Sequence, residues 1–138
     1  MATDQTQDNL GIVLVGWVDA IRRRDLDALA AHLHPDVFWQ GVLPGYTCDG
    51  RETVLAHFAG REELPHAGVE RVDLVASGDQ VVLGVRSREL ERVGEVELGG
   101  QIFLVFTIRA GKIARLEDHA TRRAALDAAG IAAVTDWL

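Results

Sequence analysis

Residues 101–120, QIFLVFTIRAGKIARLEDHA, contain two strand-like runs joined by an Ala110-Gly111 turn. β-Branched and aromatic side chains dominate the first run and the second alternates in polarity, so the pattern predicts an antiparallel hairpin. Because successive side chains of a strand point to opposite faces, one face of the second run carries Ala114, Leu116 and Asp118. The other face carries Ile113, Arg115, Glu117 and His119. Asp118 therefore ends an otherwise apolar row.

The chain before this hairpin begins with helical patterns. Apolar side chains at helical spacing predict helices over residues 10–24, 25–33 and 51–58. Between the second and third of them, DVFWQGV (36–42) is rich in β-branched and aromatic side chains and predicts a strand. Asp8 or Asn9 is expected to cap the first helix and Asp25 the second. From residue 69 the period becomes two, which predicts successive strands separated by turns.

The tail after residue 122 predicts a short helix that ends at Gly130. The order of elements therefore predicts an α+β fold, with three N-terminal helices packed on a mainly antiparallel sheet and a short C-terminal helix. We expect residues 1–8 to be a polar N-terminal segment and residues 9–138 to form a single domain.

Composition restricts the class of protein. With 138 residues, of which 48% are hydrophobic and 25% charged, the chain has the make-up of one globular domain. Its net charge of -7 disfavours nucleic acids and membranes as partners, since both attract basic surfaces. Cys48 is the one cysteine, and no cysteine–histidine cluster has zinc spacing, so we expect no metal, no cofactor and a cytoplasmic location. No run approaches the roughly 18 apolar residues of a membrane helix.

The strand from Ile102 to Ile108 is almost wholly apolar on both faces. A strand with one wet face would alternate, so we expect both faces of this one to be covered. If helices cover one side, a second subunit covers the other, which predicts a homodimer through the sheet. The alternative is that the C-terminal tail covers that face.

Three motifs resemble those of a known superfamily: HPDVFWQG (34–41), DGRETVLAHF (49–58) and GKIARLEDH (111–119). Together with the order of elements over about residues 8 to 128, they are similar to the nuclear transport factor 2-like superfamily. Within it the chain looks most like the polyketide cyclase (SnoaL-like) and limonene epoxide hydrolase branch. The resemblance implies a cone-shaped domain, often dimeric, with a pocket between the helices and a curved sheet.

The resemblance also implies site residues. Alignment with limonene epoxide hydrolase places its catalytic aspartate on Asp118 and its arginine on Arg86. Its second carboxylate falls on Arg88, and its water-holding tyrosine and asparagine fall on Trp39 and Gly41. The oxyanion tyrosine, base aspartate and protonated aspartate of ketosteroid isomerase fall on Trp17, near Gly41 and near Phe103. A cyclase-like chemistry, which needs one acid or base in an apolar pocket, is contradicted least.

Asp118 has two interpretations. In an apolar cavity its pKa would rise and the carboxyl would serve as a general acid or base, with Arg86 orienting it or stabilising an anion. Alternatively it caps the turn or helix that begins at Ala120-Thr121, or pairs with Arg122. We expect the pocket to be lined by aromatic and apolar side chains: Trp17, Trp39, Tyr46, Phe58, Phe103 and Leu116.

The sequence therefore predicts a small cofactor-independent enzyme of the isomerase, cyclase or hydrolase type. It would act on a small apolar or amphipathic molecule, with Asp118 and Arg86 as its catalytic residues. The alternative is a noncatalytic ligand-binding or dimerisation module of the same fold, in which Asp118 is structural.

Overall fold

The computed structural model describes residues 2–59, 69–88, 90–93 and 95–131. The N-terminal part is helical and consists of α1 (Ala2–Val13), a π-helical segment (Leu14–Asp19), α2 (Ala20–Arg22) and α3 (Leu26–His32). Two further helices are α4 (Arg51–Ala59) and α5 (Arg122–Ala128). The strands are β1 (Leu33–Gln40), β2 (Thr47–Asp49), β3 (Val69–Ser77), β4 (Gln80–Ser87), β5 (Arg92–Val93), β6 (Val96–Glu97), β7 (Gln101–Arg109) and β8 (Lys112–His119).

Within the described ranges, six strands form one sheet in the order β2-β1-β8-β7-β4-β3. β1 and β8 pair in parallel, whereas the other neighbours in this sheet are antiparallel. β5 and β6 form a separate two-stranded hairpin. The predicted α+β fold, with helices packed on a mainly antiparallel sheet, is confirmed.

The main core lies between the sheet and the helices before β3. On the sheet side it is formed by one set of alternating side chains, here called the inner face: Val81, Leu83, Val85, Leu104, Phe106, Ile108, Ile113 and Leu116. On the helix side the packing residues are Val13, Trp17, Ala20, Ile21, Leu29, Val54 and Phe58. Successive side chains of a strand point to opposite faces of the sheet, so apolar residues with a two-residue period are sufficient to build this face.

The first helix begins earlier than predicted. α1 starts at Ala2, so the predicted start near residue 10 is wrong. Asn9 does not cap a helix but is buried within one, and its side-chain amide donates a hydrogen bond to the carbonyl of Gly78 at 3.0 Å. The sequence before Leu10 is polar and has no apolar stripe at helical spacing, so its pattern does not predict a helix there. The hydrogen bond from Asn9 to the β3–β4 turn joins distant parts of the chain and is seen only in the tertiary structure.

The C-terminal half of the predicted hairpin contains an irregularity. The pairing register of β7 and β8 shifts between Thr107 and Ile108, and Ile113 is fully buried on the inner face together with Leu116. The prediction that Ile113 lies on the face opposite Leu116 is therefore wrong. A bulge adds one residue to one strand and reverses the facing of the side chains before it.

The other set of side chains, here called the outer face, packs against α5. Val82, Phe103 and Val105 of the sheet form a second buried cluster with Ala125 and Leu126. The α5 helix ends as predicted, with Gly130 at a positive φ of 68°. The chain's own C-terminal segment thus covers part of this face, as the stated alternative required. The homodimer through the sheet stays a prediction, which sedimentation equilibrium would test.

Candidate functional site

A cavity of about 410 Å³ lies at one end of the inner face. It is bounded by β1, the connection from β1 to β2, helix α4 and the ends of β7 and β8. Its lining residues are Trp39, Gly41, Val42, Tyr46, Thr47, Cys48, His57, Ile102 and Asp118. This volume and mostly apolar lining are those of a small-molecule site, in which a few polar groups orient the ligand.

The rim of the cavity is shaped by the connection between β1 and β2. The Gly41 N–H donates a hydrogen bond to the Tyr46 carbonyl at 2.7 Å, which closes the connection into a compact loop. A Cβ on residue 41 would lie 2.9 Å from that same carbonyl oxygen, so only glycine fits there without a shift. Tyr46 projects from this loop with 62% of its surface exposed.

Asp118 is the acidic group of the cavity wall. It pairs with Leu104 across β7 and β8 and therefore lies on the inner face, at the end of the apolar row. The Trp39 indole N–H donates a hydrogen bond to Asp118 Oδ1 at 2.8 Å. Among the described residues this indole is the one hydrogen-bond donor to the carboxylate, and Asp118 is one of the residues that line the cavity.

The environment of Asp118 shifts its ionisation. Burial raises the pKa of this carboxyl from an ordinary value of 3.8 to about 7, and the Trp39 hydrogen bond opposes the rise. Burial acts in this direction because a charged carboxylate loses hydration when protein surrounds it. A carboxyl with a pKa near 7 exists in both protonation states at neutral pH, so it can either accept or donate a proton.

Asp118 does not cap the helix that follows it. Thr121 is the N-cap of α5, and its hydroxyl oxygen accepts a hydrogen bond from the Ala124 N–H at 3.1 Å. His119 lies on the face opposite Asp118, where its ring is 3.5 Å from the Glu117 carboxylate. Strand alternation therefore separates Asp118 from its charged neighbours in the sequence.

The predicted pocket residues divide into two groups on the inner side. Trp39 and Tyr46 line the cavity. Trp17, Phe58 and Leu116 are almost fully buried in the core beside it. The Trp39 ring stacks on Phe58 with centroids 5.7 Å apart, and Trp17 meets it edge to face at 5.2 Å. These contacts hold the indole in one orientation, and its N–H with it.

Two residues that were predicted to belong to the site lie on the outer face, so their predicted places in the cavity are wrong. Arg86 alternates with Val85, and because Val85 packs in the inner core, Arg86 points away from Asp118. Phe103 belongs to the outer cluster under α5 for the same reason. Both border a separate depression of about 170 Å³ whose wall also contains Asp73, Gln101 and Arg122. Arg86 is therefore not placed to orient Asp118, and Phe103 does not line its cavity.

His57 and Cys48 line the cavity although neither was among the predicted pocket residues. His57 lies on α4, and its ring meets Trp39 edge to face at 5.3 Å. Its spacing of three residues from buried Val54 is a signal that it lies close to the packed side of the helix. Burial, and secondly the Asp118 charge, raise the pKa of the Cys48 thiol.

The described residues contain no group of three or more histidine, cysteine, aspartate or glutamate side chains placed to hold a metal ion. In the same part of the chain, none of the helices is long and apolar enough to cross a membrane.

Comparisons with known proteins agree with the fold. No curated protein sequence matches the chain. Among solved structures, a candidate polyketide cyclase from Xanthomonas campestris pv. campestris is similar, with 20% identity, a TM-score of 0.62 and coverage of 87% of this chain and 95% of that one. A candidate ketosteroid isomerase from Kribbella flavida has 20% identity and a TM-score of 0.58, with coverage of 83% of this chain and 78% of that one.

An epoxide hydrolase of M. tuberculosis that is like limonene epoxide hydrolase is similar at 16% identity and a TM-score of 0.59, with 83% of each chain covered. At these identities the likeness concerns the fold. The model of the SnoaL-like domain family matches residues 14–116, which is most of the chain. The protein therefore belongs to the SnoaL-like domain family, whose nuclear transport factor 2-like fold its helices and sheet adopt.

Proposed function

We propose that the protein is a small, cofactor-independent enzyme that transfers a proton to or from a mostly apolar small molecule, with Asp118 as the general acid or base. The observation that carries this proposal is the Asp118 carboxyl. It lines a mostly apolar cavity, and one of its oxygens accepts a hydrogen bond from the Trp39 indole.

The raised pKa of Asp118 suits proton transfer at neutral pH. Proton transfer is most efficient when the catalytic group titrates near the working pH, and burial raises the pKa of Asp118 to about 7. An ordinary surface aspartate would be ionised at neutral pH and too weak a base to remove a proton from carbon. A desolvated carboxylate is a stronger base, because water no longer stabilises its charge.

Three reaction classes are compatible with one proton-transferring group in this cavity. Isomerisation, aldol-type cyclisation and epoxide opening each need one group that accepts or donates a proton. Solved structures with this fold include proteins named for the first two chemistries and an epoxide hydrolase. The cavity wall is mostly apolar, which favours a small apolar or amphipathic substrate.

The proposal can be tested before the natural substrate is identified. 5-Nitrobenzisoxazole is a small apolar probe that opens to a coloured 2-cyano-4-nitrophenolate when a base removes the proton from its C3 carbon. We expect the protein to accelerate this opening, with kcat/KM rising with pH and half-maximal near pH 7, because only the ionised form of Asp118 can accept the proton.

Asp118→Asn should lower kcat/KM for this probe by about 10²-fold or more, since the amide cannot accept the proton. Glu117→Gln is the matched control, because Glu117 is the preceding residue of β8 but lies on the outer face, paired with Arg115 at 2.8 Å. Undiminished activity in Asp118→Asn would exclude Asp118 as the base. Saturable binding of the probe without any turnover would favour the noncatalytic ligand-binding module instead.

A further inference from the structure

We propose that the outer face of the sheet carries a second binding site, which takes a small organic anion with a single carboxylate group. The site is the depression of about 170 Å³ that is bordered by Arg86 and Arg122. It is separate from the cavity of Asp118, which lies at one end of the inner face. This inference goes beyond the proposed function and does not depend on it.

The floor of the depression is an outward-facing position of β4 that has no side chain. Val82, Gly84 and Arg86 follow one another on the outer face of this strand. Gly84 pairs with Asp73 of β3 and with Phe103 of β7, and the register is regular at both pairs. A glycine inside a strand often marks a bulge or a place where a ligand approaches closely. Regular pairing excludes the bulge, and the depression beside Gly84 has the space for a ligand.

Arg86 supplies the main positive charge of this site. It follows Val85, whose side chain packs in the inner core, so the Arg86 side chain points to the outer face. This side chain is exposed, and among the described residues it takes part in no hydrogen bond or ion pair. By contrast, Arg71 on the adjoining strand is paired with Asp73, and its Nε lies 3.1 Å from that carboxylate. The Arg86 guanidinium therefore keeps its planar set of donors for a ligand.

The composition of the wall selects a small anion of low charge. The two arginines and the Gln101 amide provide donors to a carboxylate. The Asp73 carboxylate in the same wall repels each negative charge that a ligand brings, so a phosphate dianion is disfavoured. Phe103 is 7% exposed and adds an apolar surface. The volume is below the roughly 300–1,000 Å³ of ordinary ligand pockets, which favours a carboxylic acid with a short chain or a single ring.

The inner cavity is unsuited to such an anion. No lysine or arginine is among its described lining residues, and the ionised Asp118 carboxylate would repel an anion there. The two sites lie back to back across β7, since Gln101 and Phe103 border the depression while Ile102 between them lines the cavity. Substitutions on the outer face can therefore show on which side of the sheet an anion binds.

The probe for this site is 4-fluorobenzoate, whose binding is followed through the line width of its fluorine resonance as protein is added. We expect saturable binding in the millimolar range, because water at an exposed arginine weakens an ion pair. 4-Fluorobenzamide has nearly the same shape but no charge, and it should bind more weakly, on the order of 10-fold. The titrations use micromolar protein, because a second subunit on the outer face would compete with the ligand.

Three variants locate the binding of the probe. Arg86→Gln should weaken it on the order of 10-fold, because it removes a charged donor, and Arg86→Lys should retain part of the affinity because it keeps the charge without the planar fork. Asp73→Asn should tighten binding, since it removes a repelling charge and takes away the present partner of Arg71. Arg115→Gln is the control, because it removes one positive charge from the same face outside the depression.

An equal loss in Arg86→Gln and Arg115→Gln would mean that the probe responds to net charge and not to this site. Undiminished binding in Arg86→Gln, equal binding of 4-fluorobenzoate and 4-fluorobenzamide, or no binding of either would also overturn the proposal. Thermal unfolding of each variant shows whether it is folded. Arg86 and Arg115 are exposed, so their variants decide the question even if Asp73→Asn does not fold.

Discussion

Replacing Asp118 by asparagine should make the protein more stable at neutral and alkaline pH. The substitution conserves the size of the side chain, and the amide oxygen of asparagine can still accept the Trp39 hydrogen bond that Oδ1 accepts at 2.8 Å. What it removes is the ionisation of a group that the fold keeps away from water. The variant thus separates the energetic cost of the buried charge from the packing of the cavity.

The expected size of the effect follows from the shift in ionisation. Burial raises the pKa of Asp118 from 3.8 to about 7, a difference of 7 minus 3.8, or 3.2. At about 1.36 kcal/mol for each unit, ionised Asp118 lowers the free energy of unfolding by about 4 kcal/mol, less whatever water in the cavity screens. For a domain of this size 1 kcal/mol corresponds to roughly 3–4 °C in Tm, so the expected gain is roughly 12–16 °C before that screening is taken into account.

The pH dependence has a definite sign. Between pH 3.8 and about 7 the folded protein holds a proton on Asp118 that the unfolded chain has released, so the stability of the native protein falls as pH rises through this window. Below it Asp118 is protonated in both states and the two proteins should unfold alike. Above it the advantage of Asp118→Asn is complete and constant.

Urea unfolding of both proteins at intervals from pH 4.5 to 9 measures this difference directly. Glu117→Gln serves as the control, because Glu117 is the adjacent residue of the strand and lies on the outer face. Its difference from the native protein should stay small at every pH. A stability difference for Asp118→Asn that does not change between pH 4.5 and 9 would show that the carboxyl titrates normally, and the reasoning about its catalytic use would fail with it.

Three other substitutions or modifications test neighbouring contacts. Trp39→Phe removes the N–H that favours the ionised carboxylate, so the pKa of Asp118 should rise further and the pH midpoint of activity should move up with it. Iodoacetamide should alkylate Cys48 faster in Asp118→Asn than in the native protein at pH 8, because the Asp118 charge contributes to the raised pKa of the thiol. Gly16→Ala should lower stability by about 1–3 kcal/mol, since a Cβ there would lie 2.4 Å from Cγ of the packed His32 ring.

Each of these has its own control or contrary result. A pH midpoint for Trp39→Phe that equals that of the native protein would mean that the indole N–H does not stabilise the ionised Asp118 carboxylate. Equal alkylation rates in the two proteins would mean that Cys48 does not sense Asp118. A Gly16→Ala protein as stable as the native one would mean that His32 moves aside at no cost.

Local patterns were sufficient for most of the fold. The two-residue period begins at residue 69, where β3 begins, and the turn at Ala110-Gly111 separates β7 from β8 as predicted. Asp25 caps α3 through its side chain, which accepts from the Ala28 N–H at 3.0 Å. These features depend on neighbours a few residues away, and such neighbours are visible in the sequence. The position of Asn9 inside α1 was not predicted, and its side chain bonds to Gly78, which is 69 residues away in the sequence.

The site was harder to predict than the fold, because it is made of side chains from distant elements. Alternation along β8 was enough to place Asp118 on the inner face with Leu116. Arg86 was assigned to the site through the resemblance, and it lies on the outer face because alternation along β4 does not show which of its faces the helices cover. His57 was not among the predicted pocket residues, since its spacing from Val54 shows only that it lies near the packed side of α4 and not which side chains it will contact.

The amino-acid sequence by itself therefore determined the order of elements, the alternation of side chains along most of the strands and the presence of one carboxyl at the end of an apolar row. It did so because secondary structure and burial follow short-range periods. Only the tertiary structure decided what surrounds that carboxyl: an indole N–H from β1, an imidazole from α4, and no arginine among the described lining residues. The ionisation of Asp118 depends on these neighbours and on how much water they exclude, and both are properties of three-dimensional packing.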